Sequence, residues 1–298
     1  MTPLARMACC LLLSGSAALA MPKVVAHRGG TADEPENTLL AFRTALRNGA
    51  DLLELSVQLT RDGVPVLYRP ADLSAWTAGK GAVADATLDQ LRRLNAGWQF
   101  KRTLATGEVV HPYREAPVGI PTLREALRQI PAEVPIILDL KSVPAAPLVQ
   151  AVAQVLEEEQ AWSRVHLYST VAEHLRLFRA ASPKARTFED RDATRQRLVE
   201  IRLGQVCNPP AAETWVGFEL KRDLEVTEKF TLGEGRSKVS GILWDPAAVR
   251  CFTTNPGVRI ILFGIDSAAD LALADSLGVY GVMTDSPRAM RGFMKPTP

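Results

Sequence analysis

The sequence predicts an α/β protein whose parallel strands close into a (β/α)8 barrel of the TIM type, with an insertion after the second strand. Three observations lead there. Short apolar runs alternate with amphipathic helical stretches along most of the chain. The runs are continuously hydrophobic, as in strands buried on both faces of a parallel sheet. The 298 residues, less an apolar leader, also suit the roughly 250 residues of such a barrel better than an open doubly wound sheet.

In order, Lys23 to Ala26 is the first run, and Leu39 to Asn48 follows as a helix. Leu52 to Leu59 and Val64 to Tyr68 flank Thr60-Arg61-Asp62-Gly63, which reads as a hairpin turn, so the second run extends the first. From Arg69 to about Ile120 there is no βα unit, only a polar stretch with a short helix near Thr87 to Leu94. An insertion at about 69–120, after a strand's carboxyl end, lies where a barrel builds its active site. Strands are then expected at Val134 to Leu140, Val165 to Ser169, Ala185 to Phe188, Trp215 to Leu220, Gly241 to Trp244, Val258 to Ile265 and Gly281 to Thr284. Helices are expected at Thr122 to Gln129, Ala146 to Gln160, Ala172 to Ala181, Ala193 to Arg202 and Ser267 to Leu277. These are two runs more than a barrel needs. The hairpin removes one, and one run between Trp215 and Trp244 is expected outside the barrel.

Residues 1–20 read as a secretory signal: Arg6 gives a short positive start, Met7 to Ala20 is apolar or small, and Ala18-Leu19-Ala20 resembles a cleavage site. The alternative is a start at Met21 in the cytosol. With the signal removed, residues 21–298 form a single exported domain, periplasmic or extracellular, with no segment long enough to span a bilayer. Cys9 and Cys10 leave with the signal, and Cys207 and Cys251 remain. In an exported protein these two either pair or stay as separate buried thiols. A net charge of +2 and no basic stripe exclude nucleic acid as the expected partner.

The chemistry gathers at His27-Arg28-Gly29-Gly30, followed by Glu36-Asn37-Thr38. Arg grips two phosphate oxygens through its planar fork, His exchanges a proton near neutral pH, and glycines let backbone approach a ligand. Glu54 and Asp139 are carboxylates inside apolar runs, costly there unless they belong to a polar site.

The segments VAHRGG, PENTLLAFRTAL, GADLLELSVQLTRDGVPVLY, DLSAWTAGKGAVADATLDQL, LNAGWQF, IPTLREAL, IILDLK and LGVYGVMTDSP occur in one order between residues 23 and 287. In that order they resemble the glycerophosphodiester phosphodiesterase family. The resemblance implies a barrel with an insertion after its second strand and hydrolysis of a phosphodiester by two histidines. It also implies a divalent cation, calcium or magnesium, on a Glu-x-Asp pair and a third carboxylate. It makes His27 the catalytic acid or base, Arg28 and Lys141 phosphate ligands, Glu54 and Asp139 metal ligands, and Glu36 and Asn37 supporting residues, Glu36 holding Arg28. The substrate implied is a small phosphodiester or a lipid headgroup.

Two positions depart from the pattern. Glu-x-Asp here reads Glu54-Leu55-Ser56, and the expected His-Asp reads Arg69-Pro70. Arg stays protonated and cannot act as acid and base in turn. Ser56 removes one negative charge, so the cation is weakly held or absent. Three readings stay open: a hydrolase with altered or impaired catalysis, a noncatalytic phosphodiester-binding or structural descendant, and a metal-independent enzyme in which Arg69 replaces the cation as a phosphate ligand. His111, His166 and His174 carry no motif and read as structural or exposed. Trp76 and Phe263 fall where the family has rim residues, and Thr284-Asp285 reads at least as well as a helix cap.

Overall fold

The computed structural model describes residues 21–294. The signal reading at 1–20, Cys9 and Cys10, and the whole tail Lys295-Pro296-Thr297-Pro298 fall outside the described residues. In chain order the strands are β1 (Lys23–Ala26), β2 (Leu52–Leu59), β3 (Pro65–Leu67), β4 (Arg102–Thr103), β5 (Val109–Val110), β6 (Ile136–Leu140) and β7 (Val165–Tyr168). Then come β8 (Arg186–Thr187), β9 (Trp215–Glu219), β10 (Lys221–Phe230), β11 (Gly233–Ile242), β12 (Arg259–Phe263) and β13 (Gly281–Thr284). The helices are α1 (Leu39–Arg47), α2 (Leu88–Leu91), α3 (Leu123–Gln129), α4 (Ala145–Glu158), α5 (Ala172–Ala181), α6 (Arg191–Val199), α7 (Pro246–Phe252), α8 (Ala268–Ser276) and α9 (Pro287–Phe293).

The buried runs pair in parallel in the order β1, β2, β6, β7, β8, then β9, β12, β13 and back to β1. The circle closes between β8 and β9 through a single parallel bridge, Phe188 to Trp215. Side chains two apart along a strand share a face, and the two faces make two cores. Val25, Leu52, Ile137, Tyr168, Phe188, Trp215, Ile261 and Met283, one from each turn of the barrel, fill its inside. The opposite face of the same strands packs under the helices, with Leu53, Leu55, Leu138, Val216 and Leu262 against Phe42, Leu148, Phe178 and Phe252.

Gly217 shows how tightly the inside is filled. A Cβ there would stand 2.4 Å from the Phe263 ring.

β3 runs antiparallel on β2, Val57 opposite Leu67, so the turn at Thr60 to Gly63 makes an extension and no ninth barrel strand. Between β3 and α3 lie short 3-10 turns, α2 and the β4–β5 ribbon, built on a separate core of Val66, Tyr68, Leu73, Val83, Leu91 and Ile120. One run between Trp215 and Trp244 stands off the barrel as expected: Gly241 and Ile242 end a long β10–β11 ribbon, while Trp244 returns to the main core. α7 and α9, of seven residues each, were not expected from the sequence. Both carry a start signal all the same: Asp245-Pro246 and Ser286-Pro287 set a capping side chain before a proline in the first turn. No helix among the described residues is long and apolar enough to cross a membrane.

Cys207 and Cys251 form a disulfide that ties the segment after α6 to α7, closing 44 residues. In the chain-entropy view a loop of that size is worth about 4 kcal/mol. Reduction is therefore expected to lower the urea midpoint markedly, by as much as the mutation of both cysteines to serine, and an unchanged midpoint would count against this bond as a stabilising one.

Candidate active site

Register brings the first two site residues together. β1 pairs with β13 so that Ala26 faces Thr284. The next residue in each chain, His27 and Asp285, therefore emerges side by side at the carboxyl ends of the strands. His27 Nδ1 lies 2.6 Å from Asp285 Oδ1. The chain then turns sharply: Arg28 is left-handed at φ 50, and Gly29 and Gly30 follow at φ 82 and 94. Side chains on those glycines would strike the Phe42 ring and Pro287, each at 2.8 Å. The turn aims the Arg28 backbone N–H at Glu54 Oε2, 2.8 Å away, while the guanidinium Nη1 donates to Glu36 Oε2 at 2.8 Å.

Glu54 and Ser56 share a face of β2, and β6 lies beside them with Ser56 opposite Asp139. The Ser56 hydroxyl donates to Glu54 Oε1 at 3.2 Å, and its N–H donates to Asn37 Oδ1 at 2.9 Å. Lys141 Nζ stands 2.5 Å from Asp139 Oδ2. Burial pushes the Asp139 carboxyl up, to about 6; Glu54 adds to the rise, and Lys141 and Arg28 oppose it.

Five buried side-chain polar atoms lack a partner among the described residues, and four of them, Arg28 Nε, Glu36 Oε1, Asn37 Nδ2 and Asp139 Oδ1, belong to this constellation. Buried polar groups are otherwise nearly always paired. Their clustering here marks a place built for a polar ligand.

The cavity itself, about 200 Å³, is lined by His27, Glu54, Asp139, Tyr168, Thr170, Arg191, Glu219, Phe263 and Met283. Sequence reasoning reached only His27, Glu54 and Asp139, with Phe263 as a rim candidate. It left Asp285 at least as readable as a cap and missed the group opposite. Arg191, the first residue of α6, donates from Nη1 to the Tyr168 hydroxyl at 3.1 Å and from Nη2 to Glu219 at 2.6 Å. Burial pushes the Tyr168 phenol up to about 12, so it stays protonated. Glu219 had a readable signal, a carboxylate ending an apolar run like Glu54 and Asp139. Arg191, in the polar stretch Glu189-Asp190-Arg191-Asp192, had none.

Three expected phosphate ligands stand elsewhere than in the lining. Arg28 and Lys141 stand beside the carboxylates, each engaged as described. Arg69 is exposed and makes no hydrogen bond or ion pair among the described residues. The reason is alternation along the strand end: Tyr68 turns inward, its hydroxyl donating to the Leu73 carbonyl at 3.0 Å, which leaves Arg69 outward. Nor does residue 69–120 supply any lining residue of this cavity. That segment instead braces the loop after the glycines, where Arg102 Nη2 donates to the Asp33 carbonyl at 3.3 Å and Tyr113 bonds Glu34. Trp76 packs in the separate core of that segment. His174 is structural, its ring nitrogens bonded to Ser169 and the Ser142 carbonyl.

A model of the glycerophosphoryl diester phosphodiesterase family matches residues 27–289. The chain belongs to that family. It is 46% identical over 271 residues to the uncharacterized protein Rv2277c of Mycobacterium tuberculosis, covering 90% of this chain and 88% of that one. The crystal structure of the glycerophosphoryl diester phosphodiesterase domain of Rv2277c superposes with a TM-score of 0.85, at 43% identity over 93% of this chain and all of that one (100%). A phosphodiesterase of Oleispira antarctica, solved with the product sn-glycerol-3-phosphate, shares the fold at a TM-score of 0.65 and 22% identity, over 92% of this chain and 97% of that one. Membership gives the chain a glycerophosphodiester phosphodiesterase-like function, in a family that typically uses a divalent cation.

The donors present do not make a resident cation site of that kind. Calcium takes about six to eight oxygens, carboxylates foremost, and magnesium demands a regular octahedron. Here two carboxylates meet one hydroxyl, and an ammonium already sits on Asp139. Among the described residues no group of three His, Cys, Asp or Glu is placed to hold a metal.

The His27–Asp285 pair has a pH signature. Burial by itself lowers the imidazole; the Asp285 hydrogen bond and the charge of Glu54 outweigh it and hold His27 above its ordinary 6.5. The His27 hydrogen bond holds Asp285 below its ordinary 3.8. The raised group stabilises the fold fully below 6.5 and loses that contribution as pH rises through its folded value; the lowered group stabilises above 3.8 and loses it in more acid. The pair's contribution is thus complete between those values. In Asp285→Asn the His27 titration, followed by the ring Hε1 proton in NMR, is expected to move down. A titration point unmoved by that change would remove Asp285 as its cause.

Proposed function

We propose that the chain is an exported hydrolase of small glycerophosphodiester-type substrates, with His27 as its single proton-transfer group and protein cations where the family carries a metal. The observation that carries this is the His27–Asp285 contact of 2.6 Å in a cavity shared with Glu54 and Asp139. Asp285 engages Nδ1 and leaves Nε2 to take the proton from the attacking oxygen. As that oxygen bonds to phosphorus, the opposite P–O bond breaks and the alkoxide leaves with the electron pair. No second histidine lines the cavity, so the departing oxygen takes its proton from water. Lacking a positioned proton donor costs about 10²- to 10⁴-fold, and catalysis is accordingly slow for the family.

Positive charge for the phosphoryl oxygens comes from Arg28, with its free Nε, from Lys141 and from Arg191. Lys141 takes the place that sequence reasoning gave to Arg69, because it already lies against Asp139. Glu36 and Asn37 hold Arg28 and the Ser56 backbone in position. The glycerol phosphate product in the Oleispira relative supports a substrate of small alcohols, and the small cavity volume agrees. Export is supported by the leader at 1–20 and by the disulfide.

A second reading, binding without turnover, is favoured by the single histidine. Incubating the chain with a panel of glycerophosphodiesters and following phosphorus-31 NMR separates the two. Appearance of a phosphomonoester supports the hydrolase; saturable binding with no product supports the noncatalytic protein, and neither binding nor product removes both.

A further inference from the structure

A cavity larger than the active-site one lies at the other end of the barrel. It encloses about 800 Å³. Its walls come from the amino ends of the strands: Pro135 before β6, Arg164 before β7, Arg186 opening β8, Trp215 opening β9, Arg259 opening β12 and Tyr280 before β13. His27, Glu54 and Asp139 belong to the opposite, carboxyl-end mouth, so this space is separate from the site above.

His166 is the notable side chain here. It stands two residues before Tyr168 on β7 and so shares the barrel-facing side of the strand, one layer lower. Only 8% exposed, it stacks on Trp215 with ring centroids 3.7 Å apart, and it makes no hydrogen bond among the described residues. Burial, with Arg186 and Arg259 adding to it, pushes its imidazole down to about 4. The ring is therefore neutral, with one N–H to donate and one nitrogen to accept.

The three arginines of the cavity differ. Arg164 is spent on carbonyls, its Nη1 donating to Ile130 and Pro131 and its Nη2 to Leu127. Arg186 makes one bond, from Nη1 to the Ser163 carbonyl at 2.8 Å. The Arg259 guanidinium makes no hydrogen bond or ion pair among the described residues and is held over the Tyr280 ring at 4.5 Å. Glu133 and Glu213 are in the same lining, yet neither pairs with these guanidinium groups. Two cations with open donors beside an imidazole whose nitrogens bond no other described residue form a recognition set for an oxyanion.

We propose that this basal cavity is a binding site for a small organic oxyanion, a phosphate or carboxylate, gripped by Arg186 and Arg259 and hydrogen-bonded by His166. The Trp215 and Tyr280 rings fix the imidazole and the Arg259 guanidinium in place, so the anion meets donors already oriented.

The test follows the His166 Hε1 proton by NMR in the full chain, titrated with inorganic phosphate and separately with succinate. The expected result is a saturable shift with one or both, and an upward move of the His166 titration point of about one unit or more as a bound negative charge favours the imidazolium. Response to phosphate alone or to succinate alone names the anion. Arg186→Gln with Arg259→Gln should abolish the shift, Glu133→Gln should strengthen binding by removing a nearby negative charge, and His27→Ala should leave it unchanged. No response to either anion overturns the proposal. So does a response that survives the double arginine change, one that is indifferent to Glu133→Gln, or one that disappears with His27→Ala.

Discussion

His27→Ala is expected to reduce turnover of a glycerophosphodiester by about 10²- to 10⁴-fold, the usual worth of a positioned proton-transfer group. The loss should fall on the chemical step. His27 has no backbone role that alanine cannot fill, because the turn after it is set by Arg28, Gly29 and Gly30, and in the proposed mechanism binding of the diester rests on the neighbouring cations. Affinity is therefore expected to change little while the rate collapses. Asp285→Asn should be milder in rate and should displace the acid limb of the pH profile downward, since the asparagine cannot hold the imidazole above its ordinary value. Equal and small losses in both variants, with an unshifted profile, would leave the proton transfer to some other group.

Ser56→Asp carries the second large effect. Ser56 is 0% exposed and stands on the face that carries Glu54, opposite Asp139 in register. A carboxylate there would be the third negative group in a buried space, with Lys141 and Arg28 already engaged. An uncompensated buried charge of that kind costs about 3–5 kcal/mol. In chelator the variant is expected to unfold at clearly lower urea than the natural chain. Calcium should restore most of the difference, since three carboxylates supply the hard oxygen donors that two and a hydroxyl do not. Loss without rescue would mean that the geometry fails for reasons other than charge; no loss in chelator would mean that the site tolerates a third carboxylate unaided.

Much of this was readable from residue order because it is local. Leu52 to Leu59 is β2 to the residue, and Glu54 and Asp139 stand out as charges that an apolar run would reject unless a site required them. The His27 turn is written in its two glycines. What stayed hidden depends on pairing across distance. Asp285 meets His27 across 258 positions of chain, and only the β1–β13 register shows why. Arg191 looks like an exposed helix residue until α6 is seen to begin over the barrel mouth beside Tyr168 and Glu219. Arg69 stands next to Tyr68 in sequence, yet the inward turn of Tyr68 sends it to solvent. The β10–β11 ribbon was missed because its period-two apolar residues, Leu224, Val226, Phe230 and Leu232, are diluted by charged neighbours, and its strands pair only with each other, away from the barrel sheet.

The proposed handling of the phosphodiester by the protein's own cations, without a metal, can be tested in one assay. The direct measurement is the rate of glycerophosphodiester cleavage, together with affinity for the unreacted diester, by purified chain in excess chelator and again with calcium or magnesium restored. The same slow rate and the same affinity are expected in all three conditions. Complete loss of binding and cleavage in chelator, recovered on adding the metal, would contradict it.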